Sequence, residues 1–184
     1  MLCFMAQSYI TDVPMAILKI FSGGQTGADR GGLEAALRCG VPHGGWCPKG
    51  RKAEDGGIPA HYTLRETDTE YYSQRTERNV LDSDATLVFT RGAPAGGSLL
   101  TLELARRYGK PWYAVDLTHG SREEHVAGIF AWLRGKAADD DGTSWGQPPD
   151  NCVLNVAGSR ESENPGIEST VTALMCALIA SIKQ

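Results

Sequence analysis

The sequence predicts an α/β fold: a doubly wound parallel sheet of about five strands, held as the middle of three layers. Short apolar runs alternate along the chain with longer stretches of helical periodicity. Glycine-rich turns, at Gly23-Gly24, Gly96-Gly97 and Gly158, open three of the helices. A length of 184 residues suits one compact domain, so residues 1–14 read as an arm and 15–184 as a single ligand-binding domain.

The elements follow in order. Residues 16–21, AILKIF, form a continuous apolar strand suited to burial on both faces. A helix over 28–39 ends where Gly40 supplies a left-handed stop. A second short strand lies at 45–47. The segment 48–62, PKGRKAEDGGIPAHY, is an irregular loop carrying Lys49, Arg51, Lys52 and His61. A helix over 70–81 points Tyr71, Tyr72, Val80 and Leu81 inward. Residues 85–90, ATLVFT, make the third strand, and Ser98 caps a helix that runs to Tyr108. The fourth strand spans 112–116. Ser121 and Glu124 form a capping box for a helix through Leu133. Residues 135–150 are a polar surface loop whose three aspartates read as an exposed turn or, less simply, a cation site. The fifth strand is 152–157. Asn164 and Pro165 stand at cap and first-turn positions of a last helix that is apolar nearly all round. Such a helix belongs in the core or at a subunit interface.

Bulk composition excludes several function classes. A net charge of −4 gives no broad basic face, which argues against nucleic acid. The five cysteines contain no C-x-x-C pair. That argues against zinc and against a disulfide framework, and for a reducing cytoplasm. No metal ligand set is predicted. Residues 1–14 have no basic start and a broken apolar run, unlike a secretory signal. No stretch is apolar enough to span a membrane. The arm is expected to pack on the body or on a neighbouring subunit.

The chemistry points to SGGQTGADR, residues 22–30. Gly23, Gly24 and Gly27 allow a sharp turn that presents backbone N–H groups, and the following helix adds the positive end of its dipole. Together these make an anion site, usually for phosphate. Gln25, Thr26, Asp29 and Arg30 add polar side chains. The spacing is neither the dinucleotide fingerprint G-x-G-x-x-G nor a P-loop ending in Lys-Ser/Thr. A turn of this kind also serves as a plain chain reversal, and Asp29 equally as a helix cap. The cations after the second strand argue against NAD, which needs an acid there for its ribose. They suit a second anionic group or a solvated loop.

SGGQTGADRGG, GWCPKGR, RTERNVLDSDATLVF, the Gly96-Gly97 pair before Thr101 and Glu103, and AGSRES with its following PGI resemble the family of putative molybdenum carriers. The resemblance spans nearly all of 17–183. It implies a Rossmann-like fold of the SLOG, or lysine-decarboxylase-like, superfamily, which includes cytokinin-activating phosphoribohydrolases. Those enzymes meet the G-S turn first; here Gly158-Ser159 comes last. The resemblance therefore implies a circular permutation with strand order 2-1-5-3-4, the fifth strand central and the three glycine turns adjacent. Arg75 and Glu103 match the enzymes' Arg and Glu, and would be catalytic only if this chain is an enzyme. Leu99-Leu100 and Ala95 depart from the enzymes' phosphate floor.

The expected function is binding of a phosphorylated nucleotide-like or pterin-like ligand, with the molybdenum cofactor as a carried ligand. The binding residues are Gly23, Gly24, Gln25, Thr26, Gly27, Asp29, Arg30, Arg75, Gly96, Gly97, Ser98, Thr101, Gly158, Ser159 and Arg160. The alternative is a nucleotide hydrolase of N-glycosidic bonds. Analogy with the superfamily implies a homo-oligomer, a dimer or tetramer.

Overall fold

Five parallel strands form one sheet: β1 (Ala16–Phe21), β2 (His43–Gly44), β3 (Ala85–Thr90), β4 (Trp112–Asp116) and β5 (Asn151–Gly158). Their order is β2-β1-β5-β3-β4. This computed structural model describes residues 16–136, 145 and 149–183. The arm 1–14 and most of the 135–150 loop lie outside the described residues. Five helices connect the strands: α1 (Ala28–Cys39), α2 (Tyr72–Leu81), α3 (Gly96–Arg107), α4 (Arg122–Leu133) and α5 (Ile167–Ile182).

The expected permuted order is therefore present. Leu154 of β5 pairs with Ile20 of β1 on one side and Ala85 of β3 on the other. Every residue of β3 is buried. Helices α1, α4 and α5 cover one face of the sheet, with Ile129, Trp132, Leu174, Met175 and Leu178 in its core. Helices α2 and α3 cover the other, through Val80, Leu102 and Ala105 against Val88 and Trp112. Ile167, Met175 and Leu178 are fully buried, and each such side chain contributes about 1.5–3 kcal/mol of transfer free energy. The last helix is thus a core helix on one side. Its Ala173 and Ala180 remain exposed.

The capping box forms as expected, with Glu124 N–H donating to Ser121 Oγ and Ser121 N–H to Glu124. Other local expectations need correction. Strand β1 is not buried on both faces: Ile20 is buried but Leu18 is 56% exposed. Its neighbour β2 is only two residues long, so it pairs with Ile20 and Phe21 alone. The second strand lies at 43–44, and Trp46–Cys47 leaves the sheet to pair with Arg65–Glu66. Tyr71 and Leu81 of the α2 region are exposed, whereas Thr76, Asn79 and Val80 face inward. Helix α3 starts at Gly96, with Ala95 in the capping position, so Ser98 is no cap. Helix α5 is preceded by Gly166, which leaves Asn164 and Pro165 in the turn before it.

Candidate functional site

Because β5 runs between β1 and β3, the turns that leave these three strands stand side by side. Phe89 and Gly158 are in register, and the Ser159 N–H donates to the Phe89 carbonyl at 2.9 Å. The first and last turns interlock more closely. The Ala28 N–H donates to the Ser159 carbonyl at 3.0 Å. A Cβ on Gly27, where φ is +84°, would collide with that same carbonyl oxygen. Only glycine fits there, for both backbone and steric reasons.

Residues 22–30 are all buried. Within them Asp29 is held from three sides. Its Oδ2 accepts from the Gln25 N–H at 3.3 Å and meets Arg75 Nη2 at 3.1 Å. Gly23 also donates a backbone hydrogen bond to it. Burial pushes the Asp29 carboxyl above its ordinary value, while Arg75 and the backbone donors pull the other way.

Arg75 reaches this place because α2 is docked by a neighbouring side chain. Asn79, one turn further on, accepts from the Trp46 N–H at 2.7 Å and donates to the Trp46 carbonyl at 2.9 Å. The Arg75 guanidinium then lies flat on Gly23, where any Cβ would overlap it. Its Nε is buried without a hydrogen-bond partner among the described residues. Arg160 sits over the Tyr72 ring at 5.2 Å, so the last turn and the start of α2 share a cationic, aromatic edge.

A small hairpin lies across the first turn. Lys52–Ala53 pairs with Gly56–Gly57 in antiparallel fashion, with Glu54 and Asp55 at the tip. Asp55 holds Arg30 by two bonds, 2.6 and 2.8 Å long. Glu54 accepts from Thr26 Oγ1, from the Ser162 N–H at 3.2 Å and from Ser162 Oγ at 2.6 Å. The Gln25 amide oxygen accepts from the Thr26 and Glu54 N–H groups, both at 3.0 Å. Its Nε2 is buried without a partner among the described residues.

Sequence reasoning weighed only the cations of this loop and missed Glu54, Asp55, Tyr72 and Ser162. The acid pair before Gly56-Gly57 is a hairpin-tip signature and could have been read. Arg51, one of those cations, donates to the carbonyls of Ile58, Pro59 and Tyr62 and so braces its own loop.

The third turn differs. Gly96 and Gly97 are exposed. Ser98 and Thr101 are buried, with Thr101 Oγ1 donating to the Gly97 carbonyl at 2.8 Å. Glu103 is exposed, one turn beyond exposed Leu99. The structure brings Arg75 to Asp29 rather than to Glu103.

With this geometry in view, the profile of the circularly permutated YpsA SLOG family matches residues 20–179. The chain belongs to that family. The permutation is visible in the central β5 and in a Gly158-Ser159 turn that comes last in the chain. A crystal structure at 1.45 Å, described as "Putative molybdenum carrier protein" from Syntrophus aciditrophicus SB, is similar to it. The two share 41% identity over 90% of this chain and 96% of that one, with a TM-score of 0.78. No curated protein matches. Within the family fold, this member's first and last turns form one interlocked unit, and the third turn stands beside them.

Proposed function

We propose that this protein binds a phosphorylated nucleotide-like or pterin-like ligand where the first and last turns meet, as a carrier of the molybdenum cofactor type. One observation carries this reading. Two buried donors, Gln25 Nε2 within the glycine turn and Arg75 Nε beside Gly23, have no acceptor among the described residues. A buried unsatisfied donor costs about 1–3 kcal/mol, which a ligand oxygen would recover. The name of the 41%-identical structure agrees with a carrier. The hydrolase alternative calls for a carboxylate at Glu103 acting beside Arg75, and Arg75 is engaged with Asp29 instead.

The test is a thermal-shift comparison with AMP, ADP-ribose, molybdate and, under anaerobic conditions, the molybdenum cofactor. A ligand that binds only the folded state raises Tm by mass action. A shift with the cofactor alone supports the carrier. A shift with a nucleotide calls for a base-release assay, in which turnover lost in Glu103→Gln establishes the hydrolase.

The reading extends to a cytoplasmic homo-oligomer. Among the described residues no helix is long and apolar enough to cross a membrane. Ala177 and Ser181 of α5 border a groove of about 350 Å³, lined on its other side by Val126, Ala127 and Phe130 of α4. Light scattering after size exclusion that returns a monomer mass refutes the oligomer.

A further inference from the structure

The turn that carries the anion-binding signature is covered. Residues 22–30 are buried, and a Cβ on Gly24 would press on Leu64 and on Ile58, which directly follows the 52–57 hairpin. A phosphate reaching these amides has to displace something. We propose that the 52–57 hairpin is a strap, and that the Glu54 carboxylate occupies an anion subsite that a phosphate group of the ligand takes when the strap opens. This rests on the ligand reading above and adds to it a second subsite, formed by Thr26 and Ser162, and a gate.

The donor set around Glu54 is that of a phosphate site. It consists of a hydroxyl before α1, and a hydroxyl and a backbone N–H after β5. A carboxylate and a phosphate present the same anionic oxygens to such donors. Asp55 repeats the mimicry. It fills both arms of the Arg30 guanidinium, the fork that binds phosphate in two-point fashion. The tip therefore ties up Thr26, Arg30 and Ser162 together. It also fixes one end of the Gln25 amide, whose other end is the unpartnered Nε2; Gln25 is 3% exposed.

The strap is built to move at small cost. Residues 54–57 are exposed, and the ladder is two residues long. Its apolar anchors, Ala53 and Ile58, lie just outside the tip in a small cluster with Leu33, Cys47 and Tyr62. Opening between them separates polar groups that water or a ligand can satisfy, and leaves the cluster in place. Both carboxyls are held below their ordinary values. Burial works to raise Glu54, but the bonds from Ser162 and Thr26 outweigh it and leave the carboxyl below its ordinary value. The Arg30 bonds lower Asp55.

The experiment uses inorganic pyrophosphate in EDTA as the probe, by calorimetric titration of the full chain and of Glu54→Ala. If Glu54 competes with the probe, its removal abolishes the closed-state penalty, and affinity rises about ten-fold. Pyrophosphate should also speed hydrogen exchange at the amides of 53–57 in the unaltered protein. Equal or weaker binding by Glu54→Ala overturns the strap and makes Glu54 a brace between the two turns. Should that variant not fold, exchange in the unaltered protein decides: unchanged or slower exchange overturns the strap. If neither protein binds, the strap and the parent reading both fall. If both bind as expected but Arg75→Ala binds equally well, the strap stands and the Arg75 site falls.

Discussion

At the end of β1, a Cβ on Gly23 would overlap the Arg75 guanidinium, and one on Gly27 the Ser159 carbonyl. At the end of β3, a Cβ on Gly96 or Gly97 would meet nothing within 4 Å among the described residues. Both stretches read in sequence as glycine turns opening a helix. In the first, glycine lets two turns and an arginine approach within contact. In the second, Gly96 supplies a φ of +51° on an open surface. Close approach gathers polar groups from distant parts of the chain, and so the charged and unpartnered groups concentrate at the first turn.

The sharpest way to break this contrast is Gly27→Ala. Overlap with backbone and a left-handed φ act together, and the expected loss is about 3 kcal/mol in urea unfolding. A loss below about 1 kcal/mol would mean that the interlock yields easily. Next is Arg75→Ala. Charge-assisted bonds to an anion contribute about 1.5–3 kcal/mol, so affinity for the ligand that raises Tm should fall more than about ten-fold. Unchanged affinity would remove Arg75 from the site.

A smaller effect comes from Asp55. Its carboxyl is lowered by Arg30, so its contribution is full above its ordinary value of 3.8 and fades as pH falls through the lower folded value. Below neutrality, wild-type stability should therefore drop more steeply toward pH ~3 than that of Asp55→Asn. The difference should be at most about 1 kcal/mol, since the side chain is 46% exposed. Parallel pH curves would show that the ion pair contributes nothing. The smallest effect is expected for Gly97→Ala, within about 0.5 kcal/mol, because the new methyl points into open space. A large loss in that variant would erase the distinction between the two turns.

Legibility in the sequence followed the range of the interactions. The bounds of α1, β3 and β4 and the capping box at Ser121 were readable, because each is set by neighbours a few residues away. The inward face of α2 was misread from its aromatics. Tyr71 is exposed, while Asn79 turns inward to hold the Trp46 backbone, a partner that periodicity cannot reveal. Arg30 was legible as a candidate site cation, but not that Asp55 holds it.

The sequence by itself determined the alternation of strands and helices, the positions of the glycine turns and, through its motif order, the permuted sheet. The first two rest on local backbone preference and hydrophobic period; the permuted order rests on the family resemblance that the motifs carry. The tertiary structure alone decided which groups meet. Glu54 joins Ser162 across 108 positions, and Arg75 comes down on Gly23 and Asp29 from a separate helix. Such pairings depend on the path of the whole chain around the sheet, because a side chain's partner is set by where the backbone brings it and not by its neighbours in sequence.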